Sequence, residues 1–474
     1  MILNREPEKL TARWSEFFRL GLFSLFVTGL CVGCGQEAGA EQRSEEVRSY
    51  LEGEITLSAE IDSTADYSGF EVLVANRTET AFDTLAIVET DVDGKFSTVV
   101  NAPRTNIYSL IISRAGSILR VGEIAIADGD SASFKIQFPF GQRPIMIRSE
   151  ENAALLGFKN TVALHNAEID AMSRQGIVDQ SAYVNKISQT AGILWGLQES
   201  APGTLAASLA AAQSIIMLES WDDSLLVART AEIDPDNVNY GNVVGAARRA
   251  KVRLEGAEAG PAYVQELKDK VTDEDILATV QSELVLAYRD NNENDAALSA
   301  ARELKMQHAT DSSWIRWADR AIFDLENLRP GMDAPAFSLV DSEGGAVSLD
   351  SFSGRYVILE FYIPGAEFEE QLAARNAFYR ADEDEPTFDI LSISLQPDSL
   401  LNEAFFEGRD LPGQHVFLEE GPNEQIIKDY NVFLLPTRYL IDPEGKFVGK
   451  YVLKNTLNAF EDALVLSQAK EAGG

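Results

Sequence analysis

Sulfur is the first chemistry to look for, and the chain carries cysteine at only two of its 474 positions, Cys31 and Cys34. Thiol exchange, peroxide reduction and disulfide isomerisation all need a free thiolate as the attacking atom. From Gly35 to Gly474 no residue can supply one, and structural disulfides are excluded there by the same count. The three histidines, His165, His308 and His415, stand far apart with no Cys or His beside them, so they read as ordinary side chains and no metal is expected. Asp91, Asp93 and Gly94 could open a calcium loop, but Ala102 stands where the closing Glu belongs, and a hairpin turn on Asp-Gly is the better assignment. The acidic pairs Glu369-Glu370 and Asp222-Asp223 read as solvated helix faces or caps, because acid/base work needs carboxylates converging in a cleft. With no nucleophile elbow, phosphate loop or dinucleotide fingerprint in a suitable context, no cofactor is expected.

The elements that would position any site must come from a globular chain. Hydrophobic residues make up 45% and aromatics 9%, so the formal charge of −35 describes a surface and not disorder. A field of that sign repels phosphate backbones and anionic headgroups, which excludes nucleic acid and polybasic membrane docking as partners.

Residues 1–34 have the form of a signal segment. Arg5, Lys9, Arg13 and Arg19 precede an uncharged apolar run of 14 residues, Leu20 to Gly33, shorter than the ~20 a spanning helix needs. Leu30-Cys-Val-Gly-Cys34-Gly resembles a bacterial lipobox, which assigns Cys34 as a lipid-attachment residue. Cys31 occupies the usual Leu position of that motif, and secretion without lipid or an uncleaved anchor are the alternatives. A polar tether at 35–50 would follow.

Three textures come next. Short runs rich in β-branched and aromatic residues, separated by Gly, Asp and Asn turns, predict an antiparallel β-sandwich or barrel over 51–145. Residues 150–328 carry apolar residues at three- and four-residue spacing, broken at Pro202, Pro235 and Pro261, and predict a helical domain. Leu286 to Leu298 has the small-residue spacing of a helical-repeat hairpin, but one unit does not make an array, so a spacer is expected and a repeat-type binding surface is the alternative. Residues 329–468 alternate strand-like and helix-like runs, and the fold class expected is multidomain α+β with a C-terminal α/β domain.

That last segment resembles the redoxin branch of the thioredoxin superfamily: membrane-tethered thiol-disulfide reductases of bacterial envelopes, related to the alkyl hydroperoxide reductase and thiol-specific antioxidant proteins. The resemblance rests on Leu328-Arg-Pro-Gly-Met-Asp-Ala-Pro-Ala-Phe337, Gly354-Arg355, Phe361-Tyr362 and Leu434-Leu-Pro436-Thr-Arg-Tyr-Leu-Ile441. It implies a thioredoxin-like fold, a cis-proline at Pro436, and a C-x-x-C motif opening a helix. Laid on without a gap, the motif puts its two cysteines at Ala366 and Glu369, neither of which can exchange a disulfide. The proline segment would keep the preceding backbone N–H and C=O open for one residue of strand pairing with a peptide, which makes Tyr362, Leu435, Pro436 and Thr437 candidate peptide-binding residues.

The function expected is therefore an envelope-anchored lipoprotein facing the periplasm, or a secreted protein, whose thioredoxin-like module binds an envelope protein or extended peptide without catalysis. The alternative is a thiol-disulfide oxidoreductase or peroxidase that works through a partner's thiols.

Overall fold

A computed structural model describes residues 47–58, 60, 65–77, 82–139, 144–177, 179–380, 388–409, 411–453 and 456–473. The signal segment, Cys34 and tether residues 35–46 lie outside these. The remaining tether residues, 47–50, are not loop: they open the first strand. Among the described residues no helix is long and apolar enough to cross a membrane. The chain divides into two compact units, one ending at Asn291 and the other running from Asn292.

The described part of the first unit starts with seven strands: β1 (Val47–Leu57), β2 (Phe70–Arg77), β3 (Phe82–Glu89), β4 (Lys95–Ala102), β5 (Asn106–Arg114), β6 (Ser117–Ile126) and β7 (Ser131–Phe138). They form a three-stranded sheet in the order β4-β1-β7 and a four-stranded sheet in the order β3-β2-β5-β6. Alternate residues of the two sheets, among them Leu51, Ile55, Val72, Val74, Phe96, Leu110, Ile112 and Phe134, meet in one core. The pairing is antiparallel except for β1 with β7, which is parallel.

The Asp-Gly turn sits where sequence placed it, with Gly94 donating to the Asp91 carbonyl at 2.9 Å. It does not join a hairpin, however, because β3 pairs with β2 and β4 with β1, so the turn carries the chain from one sheet to the other. Gly94 has φ +79°, and an added Cβ would lie 2.2 Å from the Ile55 carbonyl oxygen, so no other residue fits there.

Among the described residues eight helices complete this unit: α1 (Glu150–Arg174), α2 (Gln180–Trp195), α3 (Leu197–Ser200), α4 (Leu205–Ile216), α5 (Asp223–Thr230), α6 (Tyr240–Glu255), α7 (Ala259–Lys268) and α8 (Glu274–Asp290). The first of them closes a sheet edge. Asn152 accepts from Ala125 N at 2.9 Å and donates to Ala125 O at 3.0 Å, which satisfies backbone groups that edge strand β6 would otherwise expose. Asp222 caps α5 by accepting from Leu225 N at 3.0 Å, and Asp223 pairs with Arg253 at 2.7 Å, so this acidic pair is structural.

The second unit begins with α9 (Asn294–Gln307) and α10 (Ser312–Asn327), followed by the short ribbon β8 (Ser338–Val340) and β9 (Ala346–Ser348). Its central sheet holds β10 (Tyr356–Tyr362), β11 (Phe388–Ser394), β12 (Gln414–Phe417), β13 (Thr437–Ile441) and β14 (Phe447–Val452), in the order β12-β11-β10-β13-β14. β10, β11 and β12 run parallel, while β13 and β14 are antiparallel to their neighbours. The helices are α11 (Ala366–Tyr379), α12 (Ser399–Phe406), α13 (Gln425–Asp429) and α14 (Asn458–Gly473). Ile358, Ile390 and Leu440 pack with Ala374 and Phe460 on one face of the sheet, and Leu359, Phe361, Leu391 and Tyr439 pack with Ile426 and Tyr430 on the other. A strand covered on both faces should be apolar throughout, as β10 is apart from one residue, Glu360.

Candidate functional site at the carboxyl end of the central strand

Ligand sites of open α/β sheets gather outside the carboxyl ends of the parallel strands. Here β10 ends at Tyr362, the chain turns through Ile363-Pro364-Gly365, and α11 begins at Ala366, where Glu369 N donates to Gly365 O at 2.9 Å. The two positions that would carry the cysteines are both exposed. Glu369 pairs with Arg409 at 2.8 Å. Between them Phe368 turns inward and stacks on Tyr362, ring centroids 4.0 Å apart at 19°, with Phe405 6.0 Å beyond. Offset aromatic stacks of this kind stabilise beyond their buried area. An aromatic cluster with Leu372 thus fills the space beneath the loop. Burial pushes the Tyr362 phenol well above its usual pKa, so it stays neutral. Tyr362 is buried to 1% exposure and belongs to this cluster, so its side chain cannot serve as a peptide-contact surface as sequence proposed.

The proline side is built differently. β13 pairs antiparallel with β10 so that Thr437 lies opposite Phe361, which sets Leu435 and Pro436 beside the end of β10. The Leu435-Pro436 peptide is cis. Thr437 is buried and its hydroxyl donates to Leu434 O at 2.6 Å, so it shapes the turn and offers nothing outward. Leu453 N donates to Pro436 O at 3.0 Å and brings the β14–α14 connection alongside. Among the described residues Leu435 N–H and C=O take no hydrogen bond, and they lie at the margin of a surface formed by Ile363, Phe433, Leu434 and Leu453, each 38–46% exposed. Sequence named Leu435 and Pro436 but not Phe433 and Leu434 just before them, nor Ile363 and Leu453, which come from other parts of the chain.

Sequence reasoning also missed what lies beneath. Glu360, Arg375 and Arg438 are each fully buried, and Glu360 joins both arginines: Arg375 Nε donates at 3.0 Å and Arg438 Nε at 2.7 Å. Ser392 Oγ donates to Glu360 at 2.9 Å, and Arg375 donates to Pro412 O at 3.0 Å. Arg438 also donates to Gln371 Oε1 at 2.8 Å, as does Thr456 at 3.1 Å. Burial pushes the Glu360 carboxyl upward, but Arg375 and Arg438 outweigh it and hold the pKa down to about 2. This network ties β10, α11, β13 and the β14–α14 connection together under the surface. The signal was present in the sequence: a lone charge inside a strand of otherwise apolar residues, Glu360 in one and Arg438 in another, requires a partner.

The remaining candidates are elsewhere. His165 is buried in the first unit, with Nδ1 3.0 Å from Thr190 Oγ1, where burial lowers its pKa. His415 is also buried, with Nε2 2.8 Å from Leu411 O and its ring 4.6 Å from that of Phe406. The sequence had placed both as ordinary residues, and their partners are a hydroxyl, a carbonyl and a ring. A cavity of about 410 Å³ lies at the opposite ends of the strands, lined by Ser353, Arg355, Tyr379 and Asp389, with Arg355 and Asp389 paired at 3.3 Å. It shares no residue with the Leu435 surface.

Residues 330–449 match the AhpC/TSA family. The thiol-disulfide oxidoreductase ResA of Bacillus thuringiensis subsp. konkukian is 29% identical over 140 residues, covering 29% of this chain and 79% of that protein. ResA of Bacillus subtilis is 26% identical over 152 residues, covering 31% and 82%. The crystal structure of the thioredoxin domain of a thiol-disulfide oxidoreductase from Bacteroides vulgatus is 27% identical and covers 29% of this chain and 98% of that one, with a TM-score of 0.26.

Proposed function

We propose, from a C-terminal domain that belongs to the thioredoxin-like redoxin branch, that this protein is a non-catalytic binding module of that family, which takes an extended peptide on the Leu435 edge. The observation that carries the proposal is the split of the site: alanine and an ion-paired glutamate stand at the two cysteine positions, while the proline side keeps an unpaired backbone edge within an apolar surface. Disulfide exchange has no attacking atom in such a site. Adding one peptide residue to a sheet edge needs only a free N–H and C=O and a surface for side chains, and both are supplied.

The chemistry is tested directly. Purified protein given an insulin disulfide or a peroxide is expected to turn over no faster than a thiol-only blank, and turnover above the blank would sink the proposal. The second reading, an oxidoreductase or peroxidase using a partner's thiols, draws on the names of the ResA relatives. It requires turnover to appear only when a dithiol partner is added.

The cell envelope is the proposed location, with the chain lipid-anchored through Cys34 and facing the periplasm, or else secreted. Mass spectrometry of the mature N-terminus decides: a diacylated Cys34 is expected, and an unmodified N-terminus beyond it would remove the anchor and leave the secreted form.

A further inference from the structure

Helix α10 precedes the family-matched residues, yet it reaches the proline turn. Asn431 donates from Nδ2 to Arg320 O at 3.0 Å and to Asp324 at 2.7 Å, and Lys450 Nζ meets both Asp324 carboxylate oxygens at 2.8 and 3.0 Å. These contacts leave the Asp324 carboxylate fully engaged by Lys450 and Asn431. Arg320 is different. Its guanidinium lies 4.2 Å from the centre of the Phe433 ring, Lys450 lies 5.4 Å from the same ring, and among the described residues no carboxylate pairs with Arg320.

Stacking on a ring occupies the face of a guanidinium and leaves the N–H donors around its edge free for a planar acceptor. Arg320, Lys450 and Asp324 together leave one net positive charge at this spot, on a chain whose formal charge is −35. Phe433 is two residues from Leu435, so the backbone that carries the stacked ring lies within roughly 7 Å of chain from the open edge, and the guanidinium sits 4.2 Å from the centre of that ring. A segment paired with Leu435 and running toward Phe433 therefore comes alongside the residue whose ring holds the cation about two residues from its pairing point.

We infer that the segment bound at this edge carries a carboxylate, an Asp or Glu within two residues of the one seated on Leu435, which Arg320 receives while Phe433 fixes its guanidinium. This rests on the peptide-binding reading above and adds the partner's chemistry to it. It also assigns α10, a helix outside the family match, as part of the binding surface.

The probe is a displayed library of short linear peptides, selected on the full chain, with Leu434→Asp as the reference surface. Enriched peptides are expected to hold an acidic residue within two positions of an apolar anchor. Changing that acid to its amide should weaken binding roughly three- to tenfold on the wild-type chain and leave binding to Arg320→Gln unchanged. The acidic preference should shrink as salt is raised from about 50 to about 500 mM. Arg320→Lys keeps the charge without the fork and should be intermediate, and unchanged melting of both variants shows that the helix still packs. Enriched peptides without an acidic preference, or an amide change that weakens wild type and Arg320→Gln equally, would overturn the inference and leave the edge standing. No enrichment over Leu434→Asp would overturn both.

Discussion

The two sides of the turn that faces Tyr362 offer different chemistry. On the helix side, Ala366 and Glu369 leave nothing that can attack a disulfide, and Phe368 points into the interior against Tyr362 and Phe405. On the proline side, Leu435 retains an open backbone edge, and Ile363, Leu434 and Leu453 retain exposed apolar side chains around it. What the helix side can do depends on the identity of two side chains, whereas what the proline side can do depends on where a strand begins and how its neighbours hold it. Side-chain chemistry can change with two substitutions, but a backbone edge persists as long as the fold does. What holds this fold at the boundary of the two sides is the Glu360–Arg375–Arg438 network, since it joins β10 and α11 to β13.

Breaking that network should produce the largest effect on the comparison, because it underlies both sides. Glu360→Ala leaves two buried guanidinium groups without their carboxylate, and such a loss costs about 3–5 kcal/mol. Chemical denaturation should show that loss, whereas a triple replacement of Glu360, Arg375 and Arg438 by apolar residues of similar volume should recover most of it. A single variant within 1 kcal/mol of wild type would show that the network does not hold the boundary.

Acid probes the same group without mutation. The folded Glu360 carboxyl titrates near 2, below its usual 4.5, so its contribution is present above about 4.5 and is lost as pH falls through 2. That difference corresponds to about 3 kcal/mol. A stability profile of wild type should fall across this window, and the part due to Glu360 should be missing from Glu360→Gln. Parallel profiles for the two proteins would contradict the assignment.

The proline side is sharpened by Leu434→Asp. Because Leu434 is exposed, folding stability should change by less than about 0.5 kcal/mol. Peptide affinity in an equilibrium titration should nevertheless fall about tenfold, since a charge placed against an apolar contact must be desolvated. Loss of folding together with binding would remove the distinction between surface and scaffold.

The smallest effect belongs to the helix side. Glu369→Ala removes a surface ion pair with Arg409, which is worth at most about 1 kcal/mol, and should leave peptide affinity unchanged. A larger loss of affinity would mean that Glu369 participates in binding.

Much of this could be read before any coordinates. Cysteine count, the apolar strand Tyr356–Tyr362, the aromatic pair Phe361-Tyr362 and the segment Leu434–Ile441 located the C-terminal domain and the missing sulfur, because each is a local property of the chain. The Asp-Gly turn was legible for the same reason, although whether it joined one sheet or two was not, since that depends on which strands pair. Tyr362 was misassigned as a peptide contact because its burial is set by Phe368, six residues on, and by Phe405, forty-three residues on.

The sequence by itself determined that no thiol chemistry is available after Cys34, that a β-rich region, a helical region and an α/β domain follow one another, and that a proline segment opens the strand-like stretch at Leu434–Ile441 of the last domain. Only the tertiary structure decided that Glu360 is shared by two buried arginines, that Phe368 fills the space under the loop, and that Arg320 of a preceding helix reaches Phe433. The physical reason is range. Composition and periodicity report what each residue does with its near neighbours, whereas the pairing of a buried charge or the placing of a cation depends on strands and helices that the chain brings together across 78 residues for Glu360 and Arg438 and 126 for Asp324 and Lys450.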